Sequence, residues 1–108
     1  MASGFLGKAF PAANTWNNIY SVPAGKVASI SVNAANQGGQ QTGVDIVIST
    51  ASSYLTIAQS EYVEYAAPLA TASILERTGL VTDATNGKYV WVRSGSGNVS
   101  FQVYGYEE

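Results

Sequence analysis

A chain of 108 residues is the size of a single domain. It contains no His and no Cys, which removes the usual proton shuttle at neutral pH, the commonest transition-metal ligands, disulfides and thiol redox chemistry. Only 11% of its residues are charged and the formal net charge is −2; Lys8, Lys26, Arg77, Lys88 and Arg93 are scattered, so the clustered cations of a nucleic-acid footprint are missing.

Residues 1–14 are rich in Gly and Ala, with Phe5, Leu6 and Phe10 among them and no sustained period. They read as a loose tail or as an arm. Two Phe side chains favour the arm, because disordered tails are poor in aromatics. The opening residues carry no basic region followed by a long apolar run, so no signal peptide is expected. No stretch has the apolar length needed to cross a bilayer.

From Trp16 the period becomes two. Tyr20 and Val22 share a side and lead into Pro23-Ala24-Gly25, a turn signal. Ala28, Ile30 and Val32 alternate with Ser29, Ser31 and Asn33, which predicts a half-buried strand. A polar Gly-rich loop spans 36–43. Val44, Ile46 and Ile48 mark the next strand. Residues 50–60 fit either a short edge strand or a helical turn. Glu61–Tyr65 reads as a strand stopped by Pro68, and Ser73–Val81 as another, with Gly79 marking a bulge or a close backbone approach.

Asn86-Gly87 has the chemistry of a tight hairpin turn. After it, Val90 and Val92 share one strand face, with Tyr89, Trp91 and Arg93 on the other. Gly95–Asn98 turns the chain again, and Val99, Phe101 and Val103 close the pattern. The expected fold is all-β. It is a single β-sandwich, jelly-roll or Ig-like, or a small barrel, of about seven strands. Residues 15–108 form it, and residues 1–14 stand ahead of it as an extended arm.

The candidate chemistry is thin. Glu61 and Glu64 are three apart on a predicted strand and point to opposite faces, so they do not converge as glycosidase carboxylates do. Lys8, Lys26 and Lys88 sit in tail or turn contexts, not in the desolvated setting a Ser–Lys pair requires. Asp45 and Asp83 lack the neighbouring oxygen ligands of a calcium site. The Gly-rich stretch lacks the Lys-Ser/Thr ending of a phosphate loop. No catalytic, metal or cofactor-binding residue is assigned, and the chain is expected not to be an enzyme.

What remains is contact chemistry. A surface with few charges suits burial against other protein. Tyr89 and Trp91, with Tyr104 on the next strand, are either core or an exposed patch of the kind found at protein interfaces and sugar platforms. Glu76 and Arg77 suit ion pairs with a neighbouring strand or subunit.

Several segments carry a resemblance. They are Ile19-Tyr20-Ser21-Val22-Pro23-Ala24-Gly25-Lys26-Val27-Ala28, Glu64-Tyr65, Ile74-Leu75-Glu76-Arg77-Thr78-Gly79-Leu80-Val81, Lys88-Tyr89-Val90-Trp91-Val92, and Val99-Ser100-Phe101-Gln102-Val103-Tyr104-Gly105-Tyr106-Glu107-Glu108. Together they resemble small virion structural proteins of tailed bacteriophages, those of cyanobacterial and other aquatic phages above all. The resemblance spans residues 15–108, and the Glu-Arg-Thr-Gly element and the terminal Gly-Tyr-Glu-Glu are its most specific parts. It implies a non-enzymatic particle component, made in the host cytoplasm and carried on the virion. A capsid decoration (cement) protein is the leading form, with a tail, baseplate or fibre piece as the alternative and a host-glycan binder as a third. The implied partners are the major capsid protein or other virion proteins and further copies of the chain, a trimer first; no nucleic acid or membrane is implied. On this reading Phe5, Leu6 and Phe10 anchor the arm, and Glu76, Arg77, Tyr89, Trp91 and Tyr104 form the interface.

Overall fold

The computed structural model describes residues 3–108. Eight strands form: β1 (Ser3–Ala9), β2 (Asn17–Ser21), β3 (Val27–Asn36), β4 (Thr42–Ser49), β5 (Tyr62–Leu69), β6 (Ile74–Asp83), β7 (Tyr89–Ser94) and β8 (Val99–Glu107). The pairs β1·β8, β2·β7, β3·β6 and β4·β5 are all antiparallel. These are the rungs of one long hairpin folded between β4 and β5. Rolling that hairpin sets β8 beside β3 and β7 beside β4. The result is two four-stranded sheets, ordered β1-β8-β3-β6 and β2-β7-β4-β5. This is a β-sandwich with jelly-roll connectivity. Of the sequence-level alternatives, the Ig-like sandwich and the barrel are set aside by this strand order.

Period two builds the core as the sequence predicts. Ala28, Ile30, Val32 and Ala34 of β3 and Val99, Phe101 and Val103 of β8 face inward from one sheet. Val44 and Ile46 of β4, Val90 and Val92 of β7, and Tyr20 and Val22 meet them from the other. Each fully buried Val, Ile or Phe side chain contributes about 1.5–3 kcal/mol. The open sides of the sandwich are also fastened. The Tyr20 hydroxyl donates to the Glu107 carboxylate from one sheet to the other, and both groups are buried. Burial first, then this carboxylate, pushes the Tyr20 phenol well above its usual pKa. On the opposite side Arg77 of edge strand β6 pairs with Glu64 of edge strand β5.

Three expectations change, and one left open is decided. Residues 3–9 are not an arm standing off the domain. They form edge strand β1, paired with β8, and Leu6 packs on the core. The period of two is hidden there because a bulge between Phe5 and Gly7 interrupts the register. Close approach explains the glycine, since a Cβ on Gly7 would collide with the Ile19 carbonyl oxygen. Met1 and Ala2, also assigned to the arm, lie outside the described residues.

Asn86-Gly87 is not a hairpin turn, because β6 and β7 belong to different sheets. The Asp83 carboxylate instead accepts from the Thr85 and Asn86 N–H groups, and this turn carries the chain across the sandwich. Those two backbone bonds hold the Asp83 carboxyl below its usual pKa. Pro68 does not end its strand. It lies within β5, an edge strand, where a missing N–H is tolerated. The segment after β4, open between an edge strand and a helical turn, takes the helical form as two short 3-10 turns, Tyr54–Thr56 and Gln59–Glu61. Gly79 does mark a bulge in β6, at φ +73°.

Candidate interaction surfaces

Both sheets have an outer face, and the two are built differently. On the β2-β7-β4-β5 sheet, cross-strand pairing sets Asp45 beside Arg93, Val47 beside Trp91 and Ser49 beside Tyr89. Val47 and Trp91 are buried, Trp91 to 8% exposure, although they point away from the main core. The segment 50–61 covers them. Trp91 Nε1 donates to the Ala51 carbonyl at 3.0 Å, and the Tyr54 ring meets the indole edge-on at 6.5 Å.

Glu61 staples this cover in place. Its Oε1 accepts from Ser49 Oγ at 2.7 Å and from the Ala58 N–H at 2.8 Å. Burial works against the charged carboxylate. The bonds from Ala58, Ser49 and Thr50 outweigh it and hold the Glu61 pKa below its usual value.

Beside this cover lies a polar and aromatic cluster. Asp45 accepts from Arg93 Nη2 at 2.9 Å and Nε at 3.0 Å, and its other oxygen accepts from the Ala66 N–H at 2.7 Å. That last bond holds a β5 irregularity in which Ala66 sits at φ +48°. The Arg93 guanidinium lies 4.6 Å from the Trp16 ring centroid, a cation–π contact. Tyr62 packs edge-on against both Trp16 and Tyr65. Its phenol is raised above its usual pKa by burial and then by the Asp45 charge. The side chains left outward on this side are Tyr54, Tyr65 and Leu55, the last 78% exposed.

No segment of the described chain covers the outer face of the β1-β8-β3-β6 sheet in this way. Cross-strand rows read directly from the register. Ile74, Ala35 and Ser100 form one row, and Glu76, Asn33, Gln102 and Lys8 the next. Ser31, Tyr104 and Phe5 form a third, and Val81, Ser29 and Tyr106 a fourth. Ile74 and Val81 are each 68% exposed, and Phe5 and Tyr106 are also open. Phe10, just beyond β1, joins Lys8, Ser100 and Gln102 around a shallow groove of about 400 Å³. The Tyr104 hydroxyl donates to Glu76 at 2.6 Å, which raises the Tyr104 pKa.

The expected interface residues are therefore dispersed. Trp91 is a core residue of the covered face, and Tyr89 is half-buried near Lys88. Tyr104 is on the opposite sheet, so the three rings form no common platform. Consecutive strands β7 and β8 lie in different sheets, which a local period cannot reveal. Arg77 is engaged within the chain by Glu64, and Glu76 by Tyr104. Phe5 and Phe10 are exposed, whereas Leu6 packs on the core.

Sequence reasoning missed Lys8, Ile74, Val81 and Tyr106 as members of one surface. A signal was present: Ile74 and Val81 fall on the wet phase of a strand whose dry phase holds Leu75 and Leu80. The bulge at Gly79 breaks the count between them. No protein-family model matches this sequence, and no curated protein matches it.

Proposed function

We propose that this chain is a non-enzymatic structural subunit of a tailed-phage particle, a capsid decoration protein that bridges neighbouring shell subunits. One observation carries the reading. Exposed apolar side chains occupy both outer faces of the sandwich: Phe5, Ile74, Val81 and Tyr106 on one, and Tyr54, Leu55 and Tyr65 on the other. Few charges separate them. A small domain with two opposed contact faces can join two neighbours. An ordinary soluble monomer keeps such patches small.

The jelly roll agrees with this role as a fold-level analogy, since it recurs in viral capsid proteins and in lectins. The mechanism is cohesion through buried area. Each copy adds contacts that only the assembled shell can make, so the shell is stabilised by mass action.

The test is a copy count. Purified virions carrying this chain are resolved by gel densitometry against their major capsid protein. Decoration predicts a copy number comparable with the capsid protein. A small fraction of that number assigns the chain to the tail or baseplate. Its absence from purified virions overturns the particle role altogether.

A further inference from the structure

We propose that the outer face of the β1-β8-β3-β6 sheet pairs with the same face of a second copy, about a twofold axis running along the strands. The charged and apolar groups of this face fall in positions that suit such a pair. β1 and β6 are its two edges. One polar row crosses the whole face, with Lys8 at the β1 edge, Gln102 and Asn33 between, and Glu76 at the β6 edge. Both end groups are exposed, and among the described residues Lys8 has no ion-pair partner.

A rotation of 180° about the strand direction exchanges the two edges and keeps each row at its own level. Lys8 of one copy then stands over Glu76 of the other, and the same contact repeats on the far side of the axis. The rows on either side follow suit. Ile74 at the β6 edge meets the shallow groove at the β1 edge beside Phe10 and Ser100. Phe5 at the β1 edge meets the β6 edge at Gly79, beside Val81, where the glycine leaves open space. In these rows the Lys8 and Glu76 charges meet their opposites, and Ile74 and Phe5 each meet a recess. A surface with this property is self-complementary, which is what an isologous contact requires.

A twofold axis across the strands instead would set Lys8 over its own edge and leave both charges unanswered. The remaining carboxylates of this face, Asp83 and Glu108, lie in the end row with Val27. That row lies three rows from the one that holds Lys8 and Glu76. Pairing also deepens the bridging role proposed above. It leaves the Tyr54, Leu55 and Tyr65 side of each copy outward, so the pair offers two identical surfaces to shell subunits. A pair is a different assembly from the trimer implied by the resemblance.

The experiment is sedimentation of the purified chain without any particle, so its outcome is independent of the particle role. The expected species has twice the 11.3 kDa chain mass and dissociates more readily as salt is raised. Lys8→Glu and Glu76→Lys each set like charges opposite one another twice, and each weakens the pair by at least about tenfold. The double variant restores opposite charges and recovers the pair. Ile74→Ser, which removes no charge, weakens it as well. Thermal melts at low concentration check that each variant is folded. A monomer at every soluble concentration, a trimer, or a dimer indifferent to both reversals overturns the proposal.

Discussion

The two outer faces of this sandwich come from strands of similar make-up and meet opposite fates. On the β2-β7-β4-β5 side, Val47 and Trp91 are roofed by residues 50–61, and Asp45, Arg93 and Trp16 lock together beside them. On the β1-β8-β3-β6 side, Ile74, Val81, Phe5 and Tyr106 stand in solvent. The first face has turned its aromatic groups into stability. The second leaves its apolar groups uncovered by any segment of the described chain. The contrast shows that an aromatic on the wet phase of a strand is not evidence of a binding surface. What matters is whether the same chain supplies a cover.

Substitutions separate the two faces by their cost to folding. The largest effect is expected at Trp91→Ala, which empties the space beneath residues 50–61 and frees the Ala51 carbonyl. A loss of about 3 kcal/mol in urea unfolding is expected. If the loss is no larger than for an ordinary surface site, the roof does not contribute to the fold. Asp45→Asn comes next. It weakens the hold on the Arg93 guanidinium and the Ala66 N–H, at about 2 kcal/mol; Arg93 is partly exposed, which keeps the figure below that of a fully buried pair.

Glu61 gives a smaller, pH-dependent effect. Its folded pKa lies below its ordinary value of 4.5. The stability it supplies is therefore complete above that value and is lost as pH falls through the lower folded pKa. Unfolding midpoints of wild type and Glu61→Gln should differ at neutral pH and converge in acid. A gap unchanged by acid would remove the carboxylate staple from the account. The smallest effect belongs to the bare face. Ile74→Ser and Val81→Ser should change monomer stability by no more than about 0.5 kcal/mol. A large loss in the monomer would mean that this face belongs to the folding unit, and the contrast would fail.

Strong alternation made much of this architecture readable from the residues. Ala28, Ile30 and Val32 against Ser29, Ser31 and Asn33 placed β3, and Val99, Phe101 and Val103 placed β8, because inward residues of a sandwich must be apolar. Three things were hidden, each for a physical reason. β1 was unreadable because its bulge at Leu6 shifts the phase and its glycine answers to Ile19, on the next strand and in the other sheet. Asn86-Gly87 misled because the turn chemistry is local, whereas the sheet each flanking strand joins is set by the roll. Glu76 and Arg77 adjoin in sequence yet take opposite faces of β6, one bonding Tyr104 and the other Glu64. Their partners could not be named without the strand order. The bare outer face was the least readable part, since it is assembled from four strands scattered along the chain.

The rolled hairpin also dictates how this molecule is made. Val47 finds its partner Tyr62 nearby, whereas Ser3 finds Tyr106 nearly a chain length away. Loop closure grows costlier with separation, though slowly. Zipping is therefore expected to start at the β4–β5 bend and run outward, with β1 docking on β8 last, an order that φ-value measurement would check. Topologies of this kind refold slowly for their size.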